Sequence, residues 1–362
     1  MKSGLEDVVA AETVLSDVDG QHGRLIIRGA SLDDLGDERF EAIVELLFGG
    51  FFDNLPDTNG LAAALGAARA RVFALVAAAG PELLKLGPTE AVRALIALRT
   101  DGTNLEAGLD LVAAPAVFAP AIIRLKRGET PIAPDPALGH TADVLRMLTG
   151  KLPSPASAKA LDTYLVTVSD HGLNASTFAA RVVASTAAGL TSSVLAALSA
   201  LIGPLHGGAP GPVLDMLDEI GSPASAEAWL EDALDHGKRL MGFGHRVYRV
   251  RDPRADALKG AVRAMAAEGA INPERLKLAE AVEAAALAIL KRRKPDRPLD
   301  TNVEFYTALL LEALGFPREA FTAVFSMGRT AGWVAHSREQ ALGGRLIRPQ
   351  SVYVGPRPQR AA

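Results

Sequence analysis

The run LAAALGAARARVFALVAAA, residues 61–79, decides the fold class. Alanine and leucine dominate it, and Leu61 and Leu65, then Val72 and Val76, recur four positions apart, the spacing of one helix face. Glu41 to Phe48, Thr89 to Leu98 and Leu105 to Leu111 read the same way. Phe178, Val182, Thr186 and Leu190 continue the spacing, and Trp229, Ala233 and Leu240 do so less regularly. An all-α fold is therefore expected. The exception is DVDGQHGRLIIRG, Asp17 to Gly29, whose turn-rich start and Leu25-Ile26-Ile27 run predict a short β-hairpin or extended arm. The Gly- and Pro-rich stretches GPLHGGAPGP (203–212) and KPDRPLDT (294–301) bracket a shorter helical block and are candidate hinges.

Composition narrows the function. At 362 residues and 49% hydrophobic content the chain can bury one large core or two coupled domains. A net charge of -4 argues against nucleic acid and anionic membranes as partners, so acidic ligands would need local positive charge. With no cysteine, disulfides, thiolate metal sites and a Cys nucleophile drop out together. The start MKSGLEDVVAAETVLSD lacks a basic-then-apolar signal pattern, and the longest apolar runs, such as VLAALSALIG near 194–203, fall short of a membrane span. A cytoplasmic protein that does not cross a bilayer is expected.

Several of the seven histidines lie in turn-like surroundings. His206, in GPLHGGA, has glycines that let backbone approach a ligand, although an ordinary interhelical turn reads the same. His245, in GFGHRVYRVRDPR, has arginines nearby that suit a small polyanion, although a solvated basic loop remains open. His171 precedes Asn174, Ser176 and Thr177 at a helix start, either as an anion site or beside a simple cap. Glu304 in Thr301-Asn302-Val303-Glu304 fits a capping box, in which its carboxylate only bonds back to the helix start. Arg329 and Arg348, seen singly, pass for surface arginines, and Lys291-Arg292-Arg293-Lys294 for a solvated helix end. There is no GxGxxG, GxxxxGK[ST], HExxH or nucleophile elbow.

Taken in order, SDHGLNASTF, GPLHGGAPGPV, GFGHRVYRVRDPR, NVEFY, GRTAGW and RLIRPQSVYVGP resemble the citrate synthase family, and the likeness runs through the N-terminal arm to cover nearly the whole chain. The resemblance implies a two-domain helical fold, with a large domain from 1–207 and 315–362, a small domain from 208–314, and a homodimer whose site closes between the domains. It implies catalytic roles for His206 on the acyl-CoA thioester carbonyl, His245 on the oxaloacetate ketone and Glu304 as base. It assigns His171, Arg254 and Arg329 to the oxaloacetate carboxylates, and Arg348 to the same task from the other subunit. Met241, Gly242 and Phe243 match the stretch that recognises the CoA adenine. No resident cofactor or metal is implied, since coenzyme A esters are substrates.

A thioester α-proton is weakly acidic, so a carboxylate removes it only where a positioned donor stabilises the enolate oxygen. Many family members carry aspartate in NVDFY, whereas Glu304 reaches one methylene, roughly an ångström or more, farther. The expected reaction is condensation of acetyl-CoA with oxaloacetate to citrate and CoA. Alternatives are 2-methylcitrate synthesis from propionyl-CoA, a noncatalytic CoA-ester or carboxylate sensor and, more remotely, cleavage of citryl-CoA.

Overall fold

A computed structural model describes residues 8–206, 210–244, 248, 250–297 and 299–356. Near its start, β1 (Ser16–Asp19), β2 (Arg24–Ile27) and β3 (Ala30–Ser31) form an antiparallel sheet in that order, with Ser16 opposite Ile27 and Ile27 opposite Ala30. The turn between β2 and β3 is the two residues Arg28 and Gly29, both with positive φ (51° and 87°), as a right-twisted hairpin with a two-residue loop requires. Leu25 and Ile27 point into the core and Ile26 is half-buried, the period-two pattern of a strand covered on one face.

The remaining described elements are helical. They run α1 (Leu32–Leu35), α2 (Phe40–Phe48), α3 (Thr58–Phe73), α4 (Pro81–Leu84), α5 (Pro88–Ile96), α6 (Leu105–Lys126), α7 (His140–Thr149) and α8 (Pro155–Val168). Then follow α9 (Ala175–Ala184), α10 (Leu190–Leu201), α11 (Gly211–Ile220), α12 (Ala226–Asp235), α13 (Pro253–Ala267), α14 (Pro273–Arg293), α15 (Val303–Ala313) and α16 (Phe321–Gly343). The expected helical fold with an N-terminal hairpin is what the chain adopts.

Two helical expectations are corrected. The stretch expected as Leu105 to Leu111 runs to Lys126, through Pro115 and Pro120. Each proline forfeits a helical hydrogen bond and crowds the preceding turn, at about 3 kcal/mol. Sixteen of the 22 residues of α6 are buried, and that packing outweighs the loss. By length and mean hydropathy (1.6) α6 and the segment Thr58–Ala78 would suffice to cross a membrane, more than the shorter runs noted above. In the fold α6 is a core helix with 89% of its apolar window buried against protein. Second, the spacing from Phe178 to Leu190 does not mark one helix: Ala187 (φ 62°) and Gly189 (φ 96°) break it into α9 and α10. The inward face of α9 is instead Ser176, Thr177, Ala180, Arg181 and Ala184, with Phe178 and Val182 half-exposed.

The long helix α16 organises the site. It packs against α2, α6, α8, α9 and α10. A Cβ on Gly328 would stand 2.7 Å from the Leu165 carbonyl, and one on Gly332 2.3 Å from the Ser169 carbonyl, so the backbones of α16 and the end of α8 approach where only glycine fits. Arg329, Trp333 and His336, on the same stretch, are thereby pressed against the residues that follow α8. On the other side, Asp252 caps α13 and its Oδ2 also accepts the Val303 N–H of α15 at 3.2 Å, tying those two helix starts together.

Candidate active site

His171 lies in the connection between α8 and α9, followed by Gly172 with φ 62°. Its Nε2 is 3.2 Å from the Tyr248 hydroxyl, and the two rings meet edge to face at 5.7 Å. The Arg254 guanidinium stands over the Tyr248 ring, 5.6 Å from its centroid. Arg254 is buried and bound to Asp252 through Nε (2.9 Å) and Nη2 (2.8 Å). That partner outweighs burial and raises the arginine's pKa.

Arg329 is buried on α16. Its Nε donates to the Val168 carbonyl at 2.6 Å, and the guanidinium stacks over Phe325 at 4.7 Å. Burial pushes its pKa down to about 10; Asp170 opposes the fall and the nearby charge of Arg254 adds to it. Two buried guanidiniums thus feel one another's charge, Arg254 lying over the Tyr248 ring that meets His171 and Arg329 close to Asp170, the residue before His171, an arrangement that an anion would relieve.

His206 follows α10. The Ser176 N–H, one of the donors left without an intrahelical partner in the first turn of α9, lies 3.2 Å from His206 Nε2, and the Ser176 Oγ 2.8 Å from it. A backbone N–H can only donate, so Nε2 is the bare acceptor and Nδ1 carries the proton. Burial, then the charge of Arg329, lowers the His206 pKa, which keeps the ring neutral. Trp333 Nε1 donates to the same Ser176 Oγ at 3.2 Å, so α16 supports His206 through a serine.

Glu304 is the second residue of α15. The capping-box alternative is corrected: the cap is Asn302, whose Oδ1 accepts the Glu304 N–H at 2.9 Å, while the Thr301 hydroxyl donates to Glu283 at 2.8 Å. No hydrogen bond holds the Glu304 carboxylate among the described residues. Burial raises its pKa, with Arg254 and then Arg239 pulling the other way. Asn302 also stitches the helix start to the preceding loop, its N–H donating to the Gly242 carbonyl (2.9 Å) and its Nδ2 to that of Gly244 (2.8 Å).

Met241, Gly242 and Phe243 lie in that loop. Gly242 has φ 84°, and a Cβ there would meet the Phe305 ring at 2.8 Å, so the loop takes its course only with glycine. Phe243 and Gly244 line a cleft of about 960 Å³ whose wall carries Lys238, Arg239, Arg293, Lys294 and Arg297. The basic run at the end of α14 is exposed, as a solvated helix end is; Arg293 and Lys294 also line this cleft, and both Arg292 and Arg293 pair with Glu231, Arg293 with Asp235 as well (2.6 Å). Another hollow, of about 540 Å³ between Phe52, Arg71, Asn104 and Arg338, holds none of the candidates.

The fold therefore gathers His171, His206, Arg254, Glu304 and Arg329 into one electrostatically connected group. Arg348 lies exposed on the extended C-terminal segment and is not gathered with them within one chain. His245 lies outside the described residues. The sequence reading passed over Tyr248 and Asp252 and named Ser176 only as part of a helix start, although all three stand inside the motifs quoted above; polar residues beside a candidate histidine or a helix start were the available signal.

The model of the citrate synthase C-terminal domain matches residues 4–350. Citrate synthase of Haloferax volcanii is 36% identical over 373 residues, covering 98% of this chain and 96% of that one. The chain belongs to the citrate synthase family. It is a condensing enzyme of the acyltransferase type. The crystal structure of citrate synthase from Pyrobaculum aerophilum, 34% identical, superposes with a TM-score of 0.84 over 98% of this chain and 93% of that one. Citrate synthase of Thermoplasma acidophilum, 28% identical, superposes with a TM-score of 0.83 over 98% and 96%, and that structure is a ternary complex with carboxymethyl coenzyme A and oxaloacetate.

Proposed function

We propose that this enzyme condenses acetyl-CoA with oxaloacetate to give citrate and CoA, with no resident cofactor. The observation that carries the reading is the pair of buried arginines, Arg254 and Arg329, which feel one another's charge, with His171 joined to Arg254 through Tyr248: two guanidiniums and an imidazole match the carboxylates of a small diacid. The basic cleft beside Met241-Gly242-Phe243 suits the phosphates of a CoA ester. The Thermoplasma relative was solved with ligands of those two kinds.

In this reading the Glu304 carboxylate takes a proton from the α-carbon of the thioester. Its raised pKa makes it a stronger base than a solvated glutamate. The neutral His206 donates from Nδ1 to the thioester oxygen, so the enolate forms against a fixed donor. The α-carbon then bonds to the oxaloacetate carbonyl carbon while His245 protonates the ketone oxygen, giving citryl-CoA. Water cleaves that thioester to citrate and CoA. Relative motion of a 208–314 domain would exclude water until that step.

The working form is a homodimer in the cytoplasm, feeding the tricarboxylic acid cycle, with Arg348 completing the partner's site. Leu346, Val352, Tyr353 and Val354, exposed on the extended segment that carries Arg348, support that assembly.

Thiol release tests the reading, and a chain without cysteine adds no background. Release with oxaloacetate plus acetyl-CoA, preferred by kcat/KM over propionyl-CoA, is expected. A propionyl preference moves the product to 2-methylcitrate. Saturable oxaloacetate binding without release overturns the catalytic reading in favour of a sensor.

A further inference from the structure

His171 is flanked by two residues that answer to one hydroxyl far away in sequence. Ser16 Oγ, on β1, donates to Asp170 Oδ2 at 2.6 Å and accepts the Gly172 N–H at 2.8 Å, so it bridges both sides of the histidine. A Cβ on Gly172 would meet Val18 Cγ2 at 3.3 Å, so β1 lies directly over this turn.

Asp170 is fully buried and has a second support. His336 Nε2, on α16, lies 3.2 and 3.1 Å from the two Asp170 oxygens. On the other edge of that ring, Arg181 Nη1 stands 3.0 Å from Nδ1. A guanidinium only donates, so Nδ1 is bare and the ring proton sits on Nε2, aimed at Asp170. Glu339 and Gln340 hold Arg181 in turn, Gln340 Oε1 accepting its Nε–H at 3.0 Å. The hydrogen bonds of His336 are thus set from one side by Arg181 and spent on the other on Asp170.

We propose that Ser16 and His336 are positioning residues for His171: the N-terminal strand clasps the turn that carries the substrate-binding imidazole, and α16 braces the aspartate beneath the clasp. The inference rests on the reading of His171 as an oxaloacetate ligand. His171 belongs to no helix or strand, and its turn passes through a left-handed glycine, so the backbone that aims its ring at Tyr248 is held in place by these long-range bonds. A displacement of about 1 Å in such a group costs on the order of a hundredfold.

The test compares wild type with S16A, S16T, H336Q and H336L, reading kcat, KM for each substrate, calorimetric oxaloacetate affinity and Tm. S16A is expected to weaken oxaloacetate binding and raise its KM by about tenfold or more, with the acetyl-CoA KM changed by less than about twofold. S16T, which keeps the hydroxyl, restores both. H336Q, whose amide donates to Asp170 and accepts from Arg181, stays near wild type, and H336L reproduces S16A. Unchanged oxaloacetate affinity in S16A and H336L overturns the clasp. So does a fall in Tm with both KM values moved alike, because a merely structural role does not select one substrate. If wild type itself neither binds nor turns over oxaloacetate, the functional reading fails and takes the clasp with it. If wild type binds and the variants match it, only the clasp falls.

Discussion

Replacing Glu304 by glutamine separates its two roles because they move activity and stability in opposite directions. As a cap, the carboxylate would stabilise the start of α15, and its loss would cost about 1 kcal/mol of stability with turnover intact. The observed geometry gives that work to Asn302 and leaves the Glu304 carboxylate half-buried with a raised pKa. A carboxyl whose folded pKa lies above its unfolded one destabilises the fold once pH exceeds both values. E304Q is therefore expected to be at least as stable as wild type at pH 7.5. General-base catalysis contributes about 10²–10⁴-fold, or roughly 3–5 kcal/mol of barrier, and that is the expected loss in kcat. E304D probes reach. The start of α15 is held to Gly242 and Gly244 through Asn302, so it cannot slide to compensate for a lost methylene of about 1.5 Å, and a fall of about tenfold to a hundredfold is expected. Thiol release under saturating substrates and thermal melts by circular dichroism give both readouts. An E304Q enzyme within about tenfold of wild type, or one that melts lower while still turning over, would refute the base assignment.

Three further outcomes follow from the same geometry. Gly242→Ala places a Cβ against Phe305 at a φ of 84°, at a cost of about 1–2 kcal/mol in the loop, so the KM for acetyl-CoA should rise with that for oxaloacetate little changed. His206 has a folded pKa below 6.5, so between the two values the unfolded chain binds the proton more readily; its contribution to stability is present above pH 6.5 and declines as pH falls, and an NMR titration of its ring should move upward in R329Q, where the neighbouring positive charge is gone. Asp162, whose pKa burial raises to about 6 while it caps Phe40 of α2, makes the opposite contribution: D162N keeps an acceptor for that N–H and should gain up to about 3 kcal/mol at pH 7.5, shrinking to nothing below pH 4, as denaturant melts across pH would measure.

What was legible in the sequence was whatever local chemistry writes down. Apolar spacing in 61–79 gave a helix because burial there is one-sided, and the Leu25-Ile26-Ile27 run gave a strand because alternate residues face the core. The ordered motifs gave the family. The extent of α6 was not legible, because Pro115 and Pro120 are local vetoes that only tertiary burial overrides. The break before α10 was hidden by an apolar period running through Thr186, although Gly189 marked it. Glu304 was ambiguous because two N-cap registers fit Thr301-Asn302; contacts with Glu283 and Gly242, remote in sequence, choose Asn302.

The site's supporting layer was illegible for a stronger reason: its bonds span 150 positions or more. Ser16 to Asp170, Asp170 to His336, and Ser176 to Trp333 each join side chains from segments far apart in the chain, which no local spacing pairs. Yet they converge on one element. Gly328 and Gly332 bring α16 into backbone contact with the end of α8, and that approach sets the depth at which Arg329, Trp333 and His336 meet the site. Arg329 places a buried positive charge there, Trp333 donates to the serine that contacts His206, and His336 braces the aspartate beside His171. A single helix thus bears on three parts of the candidate site at once. The glycines of GRTAGW are the local sign of it: they leave room for a neighbouring backbone, and the residues between and just after them inherit its geometry.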